Sequence, residues 1–363
     1  VTGRSFWFLT RYDDVVTALR DSRLGREVGK VPDEVRAQHE FDTDQMFDMV
    51  NQHMLNYDPP IHSRLRRLVS HAFTPKRIRD LGPRIEDITA ELIDGVGDAF
   101  DLIDDVAAPL PIAVIAELLG VPIEDHEQFR WMVDAMLRPT DGQSGITAAM
   151  SLLQYVNEAI ELRRTRPGDD LLSALIHLEE QGDRLSHAEL ISTVQLLLIA
   201  GHETTVNLIG NGMIELMTHP ESQAALIANS DLLDPAIEEM LRYHGPVETP
   251  FPRFAYEDVE IGGQTIKAGD QVVPVLLGAN RDPAHFDDPD RFDVTRDPNR
   301  HVAFGFGAHY CLGAPLARLE ARIAIGKLLE RWPTLRLGID RAELEWHPDF
   351  FLRGARSIPV AGG

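Results

Sequence analysis

The chain has 363 residues, 44% of them hydrophobic, and carries 35 Lys or Arg against 58 Asp or Glu, for a formal charge of −23. That is enough apolar material for a sizeable core, and so acidic a surface repels nucleic acid and anionic membrane. No uninterrupted apolar run approaches the ~18 residues of a membrane span, no basic-then-apolar secretory start is present, and the single cysteine, Cys311, excludes an internal disulfide or an iron–sulfur cluster and fits a reducing cytoplasm.

The chain opens on Val1 and runs straight into strand-like residues, so a cropped N-terminus is expected. Phe6 to Thr10 reads as a strand and Asp13 to Ser22 as a helix. From Arg23 to Asn56 no period is sustained, and Val28, Val31, Phe41, Met46, Phe47, Met49, Met54 and Leu55 are scattered through it, the mark of an irregular surface or a binding loop. Asp58-Pro59-Pro60 opens a helix bearing His62 and Arg66, four apart and therefore on one face, able to meet one anionic object. A solvated basic face is the ordinary reading of such a pair. From His62 to Arg79 the segment holds Arg64, Arg66, Arg67, Lys76, Arg77 and Arg79 and no acid.

Helical periodicity resumes over Arg84–Phe100, Pro111–Leu119 and Glu127–Leu137. Asp141 to Gly145 is a turn-rich break before a helix from Ile146 to Arg163, and Arg166-Pro-Gly-Asp-Asp170 starts a further short helix. Each break is short, and the next apolar face would be stranded without its neighbours, so the expectation is one domain over residues 1–363. Ser186-His-Ala-Glu189 is a capping box, and apolar spacing continues from it to His219-Pro220. A helix of about 31 residues, roughly 46 Å long, should cross the centre of the molecule. Leu196-Leu-Leu-Ile199 in its middle leads into Ala200-Gly201-His202-Glu203-Thr204-Thr205. Glycine and paired threonines weaken a helix interior. A packing glycine, with threonines bonding back to the preceding turn, would account for them equally well. Val206 stands where a zinc motif beginning His202-Glu203 would need histidine.

Asp234-Pro235 begins another helix with Glu239 and Arg242 three apart, a spacing usual for a surface ion pair. Val259 to Ile266 around Gly262-Gly263 is a hairpin, Val272 to Leu276 a strand, and Leu344 to Val360 a strand-like tail bent at Phe350-Phe351. The fold class expected is mainly α with a small β-rich flank.

Phe304-Gly-Phe-Gly-Ala-His-Tyr-Cys-Leu-Gly313 holds the cysteine and three glycines, followed by Ala314-Pro315 and an apolar-periodic run. Cys311 therefore sits just ahead of a helix N-terminus, where free N–H groups favour thiolate. A lone free cysteine is most often a small buried hydrophobe. The whole string, however, resembles the haem-ligand loop of the cytochrome P-450 superfamily, the haem-thiolate monooxygenases, and the likeness extends over nearly the whole chain in motif order.

That resemblance implies the P-450 fold and haem b (iron protoporphyrin IX) with Cys311 as axial ligand. His62, Arg66, Arg253 and His309 would meet the haem propionates. Gly305, Gly307 and Gly313 would let the backbone lie against the porphyrin, and Phe304 would shield the sulfur. Ala200 and Gly201 would leave room for dioxygen, Thr204 would hydrogen-bond it and Glu203 would relay protons, in keeping with the two protons that O–O cleavage consumes. Glu239, Arg242 and Arg291 would form a buried structural cluster. Leu196, Ile199, Thr249, Phe251, Phe350 and Phe351 would face a lipophilic substrate under a roof made by residues 23–56. Electrons would come from an external ferredoxin and ferredoxin reductase, with Arg64, Arg67, Lys76, Arg77 and Arg79 as the docking patch. Leu241 to Glu248 and Trp346…Arg353-Gly354 further resemble members that hydroxylate or epoxidise macrolides and other polyketides. A peroxide-driven peroxygenase would have no need of Glu203-Thr204. A non-catalytic haem sensor would tolerate a closed pocket. A hydrolase using Cys311 with His309 leaves the other motifs unexplained.

Overall fold

The computed structural model describes residues 6–37, 52–120, 126–137, 141–180 and 185–362. Phe41, Met46, Phe47 and Met49 of the expected roof lie outside the described residues. The architecture is mainly helical, as the periodicities imply, with three small sheets at the flank. Strands β1 (Phe6–Leu9), β7 (Gln271–Pro274), β4 (Arg253–Ala255) and β2 (Leu24–Gly25) lie side by side in that order, β1 and β7 parallel and the others antiparallel. β3 (Ala99–Asp101), β9 (Pro359–Ala361) and β8 (Arg336–Leu337) form a second sheet. The hairpin of β5 (Val259–Ile261) and β6 (Gln264–Ile266) turns on Gly262 and Gly263, both at positive φ (59° and 75°), which the two-residue turn demands.

The central helix runs unbroken from His187 to Thr218, started by the reciprocal Ser186/Glu189 capping box. Packed on it are the helices Pro109–Leu119, Leu233–His244 and Ala314–Arg331. Its second half, Thr205 to Leu216, is buried throughout, so length and burial agree with a core-crossing element. One large apolar core surrounds this helix and a smaller one lies beneath the first sheet, joining Val15 and Leu19 to Val272 and Val302.

Several boundaries differ from the periodic reading. The helix expected to Phe100 ends at Asp94, because Phe100 joins β3 opposite Val360. The helix expected from Ile146 starts at Gly142, since Asp141 and Ser144 cap each other's backbone and make a turn-like sequence the first helical turn. The tail is mostly irregular, tied by single bridges at Val247–Leu352 and Trp346–Ala355 before β9.

Candidate functional site

The cysteine loop folds by its own backbone bonds. Gly305 N–H donates to Val302 O, and Cys311 N–H to Phe304 O at 2.9 Å. Gly305 and Gly307 hold φ of 71° and 74°, and a Cβ on Gly307 would come within 2.9 Å of Leu19 O. The loop is therefore clamped on its outer side by the helix Tyr12–Arg20 and needs glycine there.

Cys311 is free and has accessible surface, yet burial pushes its thiol above the ordinary value. Those two facts together put the sulfur on the wall of an interior recess. Against the burial stand the backbone N–H of Gly313, the Arg66 guanidinium, the N–H of Ala314 and Arg318. The helix start alone thus does not secure a thiolate, contrary to the sequence expectation. The donors converge on an anion that burial opposes, the condition in which a bound cation completes the balance.

On the same loop and on the helix of Arg66, His309 and His62 lie with ring centroids 4.2 Å apart. Burial first, then the charges of His62, Arg253 and Arg26, lower the His309 pKa to about 3. Burial and Arg66 lower that of His62. Both nitrogens of His62 and Nε2 of His309 are buried without a hydrogen-bond partner. Arg253 is buried, with one amino group on Leu24 O at 2.9 Å. Among the described residues, the carboxylate acting on these imidazoles is Asp58, already engaged by the Arg26 N–H, the Tyr256 hydroxyl and Lys30. A buried cluster of cations and idle imidazole nitrogens, beside a loop of positive-φ glycines carrying a thiol, fits haem with its two carboxylates on this cluster. The structure places His62, Arg66, Arg253, His309 and Cys311 within electrostatic reach of one another.

On the central helix, Leu196, Ala200 and Thr204 share one face at four-residue spacing and keep accessible surface inside the molecule, with Ile199 half-buried beside them. Thr204 Oγ1 donates to Ala200 O at 2.7 Å and Thr205 Oγ1 to Gly201 O at 3.1 Å. Glu203 is buried, 3.9 Å from His202 Nδ1. A Cβ on Gly201 would make an ordinary 3.6 Å contact with Ile115, so crowding does not enforce glycine there. Ala200 is the open position.

Of the other expected contacts, Phe251 and Phe351 lie tilted to each other with ring centroids 5.1 Å apart, and Phe350 meets Phe8 edge-on at 5.8 Å. Thr249 is buried, and its hydroxyl donates to Phe350 O at 3.0 Å. That hydroxyl holds the aromatic turn.

Glu239 and Arg242 are fully buried and doubly bonded, at 2.7 and 2.8 Å. The expected third member, Arg291, is corrected. Its side chain is 68% exposed, and only its carbonyl meets Arg242. The chain turns at Asp288–Arg291 and folds back to bring Arg296 Nε to 3.2 Å from Glu239. Within the expected docking patch, Arg64 pairs with Glu189, Lys76 with Asp80, and Arg77 lies 3.5 Å from Asp169. The exposed members are Arg67, Lys76 and Arg79.

Sequence reading missed Arg26, whose side chain donates to Leu55 O, Phe251 O and Pro252 O and so ties the segment before the Asp58 helix to the one before β4. It also missed Arg318, which lies 4.5 Å over the Phe304 ring and is doubly bonded to Glu238. An isolated arginine carries no local pattern that distinguishes either one.

Residues 129–336 match the Cytochrome P450 family model. The chain is 46% identical over 367 residues to Cytochrome P450 107B1 of Saccharopolyspora erythraea, covering 100% of this chain and 91% of that protein. It is 43% identical to the Mycinamicin IV hydroxylase/epoxidase of Micromonospora griseorubida, covering 99% and 90%. The structure of the Bacillus subtilis bacillaene polyketide synthase cytochrome P450 PksS superposes with a TM-score of 0.90 at 41% identity, covering 98% of this chain and 90% of that one. No helix among the described residues is long and apolar enough to cross a membrane. Cysteine loop, cationic cradle, open central-helix face and these likenesses agree that the chain belongs to the cytochrome P450 family, whose members are haem-thiolate monooxygenases binding haem b.

Proposed function

We propose that this monooxygenase hydroxylates or epoxidises a polyketide-type secondary metabolite, with electrons from a separate ferredoxin and its reductase in the cytoplasm. The open Leu196–Ala200–Thr204 face, next to the buried Glu203, is the observation that carries the reading. Haem b, held by Cys311 and by His62, Arg66, Arg253 and His309, supplies the oxygen-activating centre when bound. Thr204 Oγ1 presents a hydroxyl to the pocket, resting on the Ala200 carbonyl, and the Glu203 carboxyl replaces its proton. Leu196, Ile199, Phe251, Phe350 and Phe351 exclude water and hold the lipophile. The polyketide class is supported by the relatives' names, a mycinamicin hydroxylase/epoxidase and a polyketide synthase P450.

A screen of spin-state shifts across macrolactones, steroids and fatty acids tests the substrate class. Tightest binding by a steroid or fatty acid would sink it. Thr204→Ala should keep haem and substrate binding while product per electron falls roughly 10²-fold, the scale of one general acid, and peroxide rises to match. Product and peroxide assays read this, and coupled turnover would refute the role. For the electron donor, Arg67 and Arg79 are the informative positions because both are exposed, whereas Arg64 is half-buried. Arg66, the neighbour of Arg67, acts on Cys311 directly. Charge reversal at Arg67 and Arg79 should slow reduction by ferredoxin about tenfold at low salt and flatten its salt dependence. Unchanged stopped-flow rates would exclude this face.

A further inference from the structure

One buried carboxylate has no part in the oxygen chemistry. Asp58 is buried just ahead of the helix Ile61–Ala72, and three segments of the chain converge on it. Its carbonyl accepts the His62 N–H at 2.9 Å and so begins the helix that carries His62 and Arg66. Its two carboxylate oxygens accept the backbone N–H of Arg26 at 3.0 and 3.1 Å, and Oδ2 also accepts that of Glu27 at 3.4 Å. Tyr256, just past the end of β4, donates its hydroxyl to Oδ2 and accepts the Glu27 N–H at 2.8 Å. A Cβ on Gly25 would overlap both that hydroxyl and the carboxylate, so glycine is needed where they meet. Each segment also carries a basic group of the haem cradle or of its edge: Arg26, His62 with Arg66, and Arg253.

Asp58 stays an anion in this setting. Burial acts to raise its pKa, but the Tyr256 hydroxyl, the Arg26 N–H, Lys30 and the Glu27 N–H outweigh it and hold the carboxyl below its ordinary range. Lys30 stands 3.5 Å from Oδ2 on the exposed side. The carboxylate favours the charged forms of Arg26, Arg253 and His62 alike. Two of these, Arg253 and His62, are groups on which the haem carboxylates would also draw.

We propose that Asp58 is a positioning residue, a resident counter-charge that gathers the three segments of the cradle and competes with the haem carboxylates for the same basic groups. The proposal rests on His62, Arg66, Arg253 and His309 holding those carboxylates. Competition has two consequences of fixed sign. A negative charge beside the cradle weakens its pull on the carboxylates. It also disfavours ferrous haem, which carries one positive charge fewer than ferric. Asp58 therefore lowers the reduction potential and makes the site less selective for a charged porphyrin edge. Tyr256 works against both effects, because its O–H donates to the carboxylate and spreads the charge.

Asp58→Asn nearly keeps the shape and removes the charge, whereas Tyr256→Phe keeps the charge and removes its hydroxyl donor. Spectroelectrochemical titration of the haem-loaded proteins should find the Asp58→Asn potential above that of wild type. The expected gain in the ferrous-to-ferric ratio is about fivefold, the scale of one unit charge at an effective dielectric near 20, or ~40 mV at 59 mV per decade. Tyr256→Phe should move the potential the other way. A looser fold alone would shift both variants in one direction. Release of haem and of haem dimethyl ester from the loaded proteins to apomyoglobin gives a second reading. The ratio of the ester's rate to that of haem should rise about fivefold in Asp58→Asn and fall in Tyr256→Phe, since general loosening cancels in the ratio. Equal potentials in wild type and Asp58→Asn, or shifts of one sign in both variants, overturn the counter-charge. Should Asp58→Asn fail to fold, Tyr256→Phe alone decides, and a raised or unchanged potential there overturns it. Wild type that releases haem as fast as the ester overturns the cradle, and the counter-charge with it.

Discussion

Cys311→Ser is expected to abolish oxidation and to remove the absorption band that marks thiolate ligation in the reduced, carbon-monoxide-treated protein. Altering an outer hydrogen-bonding partner of a metal ligand costs about 10–100-fold, and losing the ligand itself should exceed that. The reason is specific to this recess. Burial already opposes ionisation of the thiol, and only Gly313, Arg66, Ala314 and Arg318 oppose the burial. A serine hydroxyl, far less acidic, cannot become an anion there. The cationic cradle at His62, Arg66, Arg253 and His309 remains, so haem should still be retained in part. Difference spectra and a pyridine haemochrome assay separate the two effects. Wild-type oxidation by the serine variant would refute thiolate ligation.

Arg242→Leu should cost the fold about 3–5 kcal/mol, the usual penalty for breaking a buried pair. That is a large share of the roughly 5–15 kcal/mol by which a protein is stable. The variant would leave Glu239 fully buried and dependent on Arg296, Asn299 and the Asp293 N–H, and it would orphan the carbonyls of Asn280 and Pro289, while that of Arg291 keeps Arg296 as a donor. Arg291→Leu, in contrast, should stay within about 0.5 kcal/mol, as exposed substitutions do. Urea denaturation of the haem-loaded variants measures both. Equal losses would mean that Arg291 carries more than its carbonyl.

The contrast between those two arginines shows where sequence reading ends. The cysteine loop, the Ser186/Glu189 box and the Gly262-Gly263 hairpin are local: glycine conformations and cap bonds are decided within a few residues, and each formed where its pattern lies. His62 and Arg66 were legible because helical spacing put them on one face. Arg296 was not, because its partner is 57 residues away and a turn decides which guanidinium folds back. Glu215 and His244 meet across 29 residues and Arg353 joins them across 109, so no local pattern marks the chain they form. Thr249 was misjudged for a related reason. Thr249 is buried and its hydroxyl is taken by a backbone partner 101 residues away.

The gathering of like charges around His62 and His309 has a cost for the empty chain. Burial disfavours the charge on Arg66, Arg253 and Arg26, with Asp58 and Tyr256 answering Arg253 and Arg26 and the Cys311 sulfur answering Arg66. Each is therefore held against its preference until two negative groups arrive. Folding and cofactor capture are then one equilibrium, and the midpoint of thermal unfolding should climb with free haem according to mass action. In the cell, the amount of this protein that escapes proteolysis would track porphyrin supply.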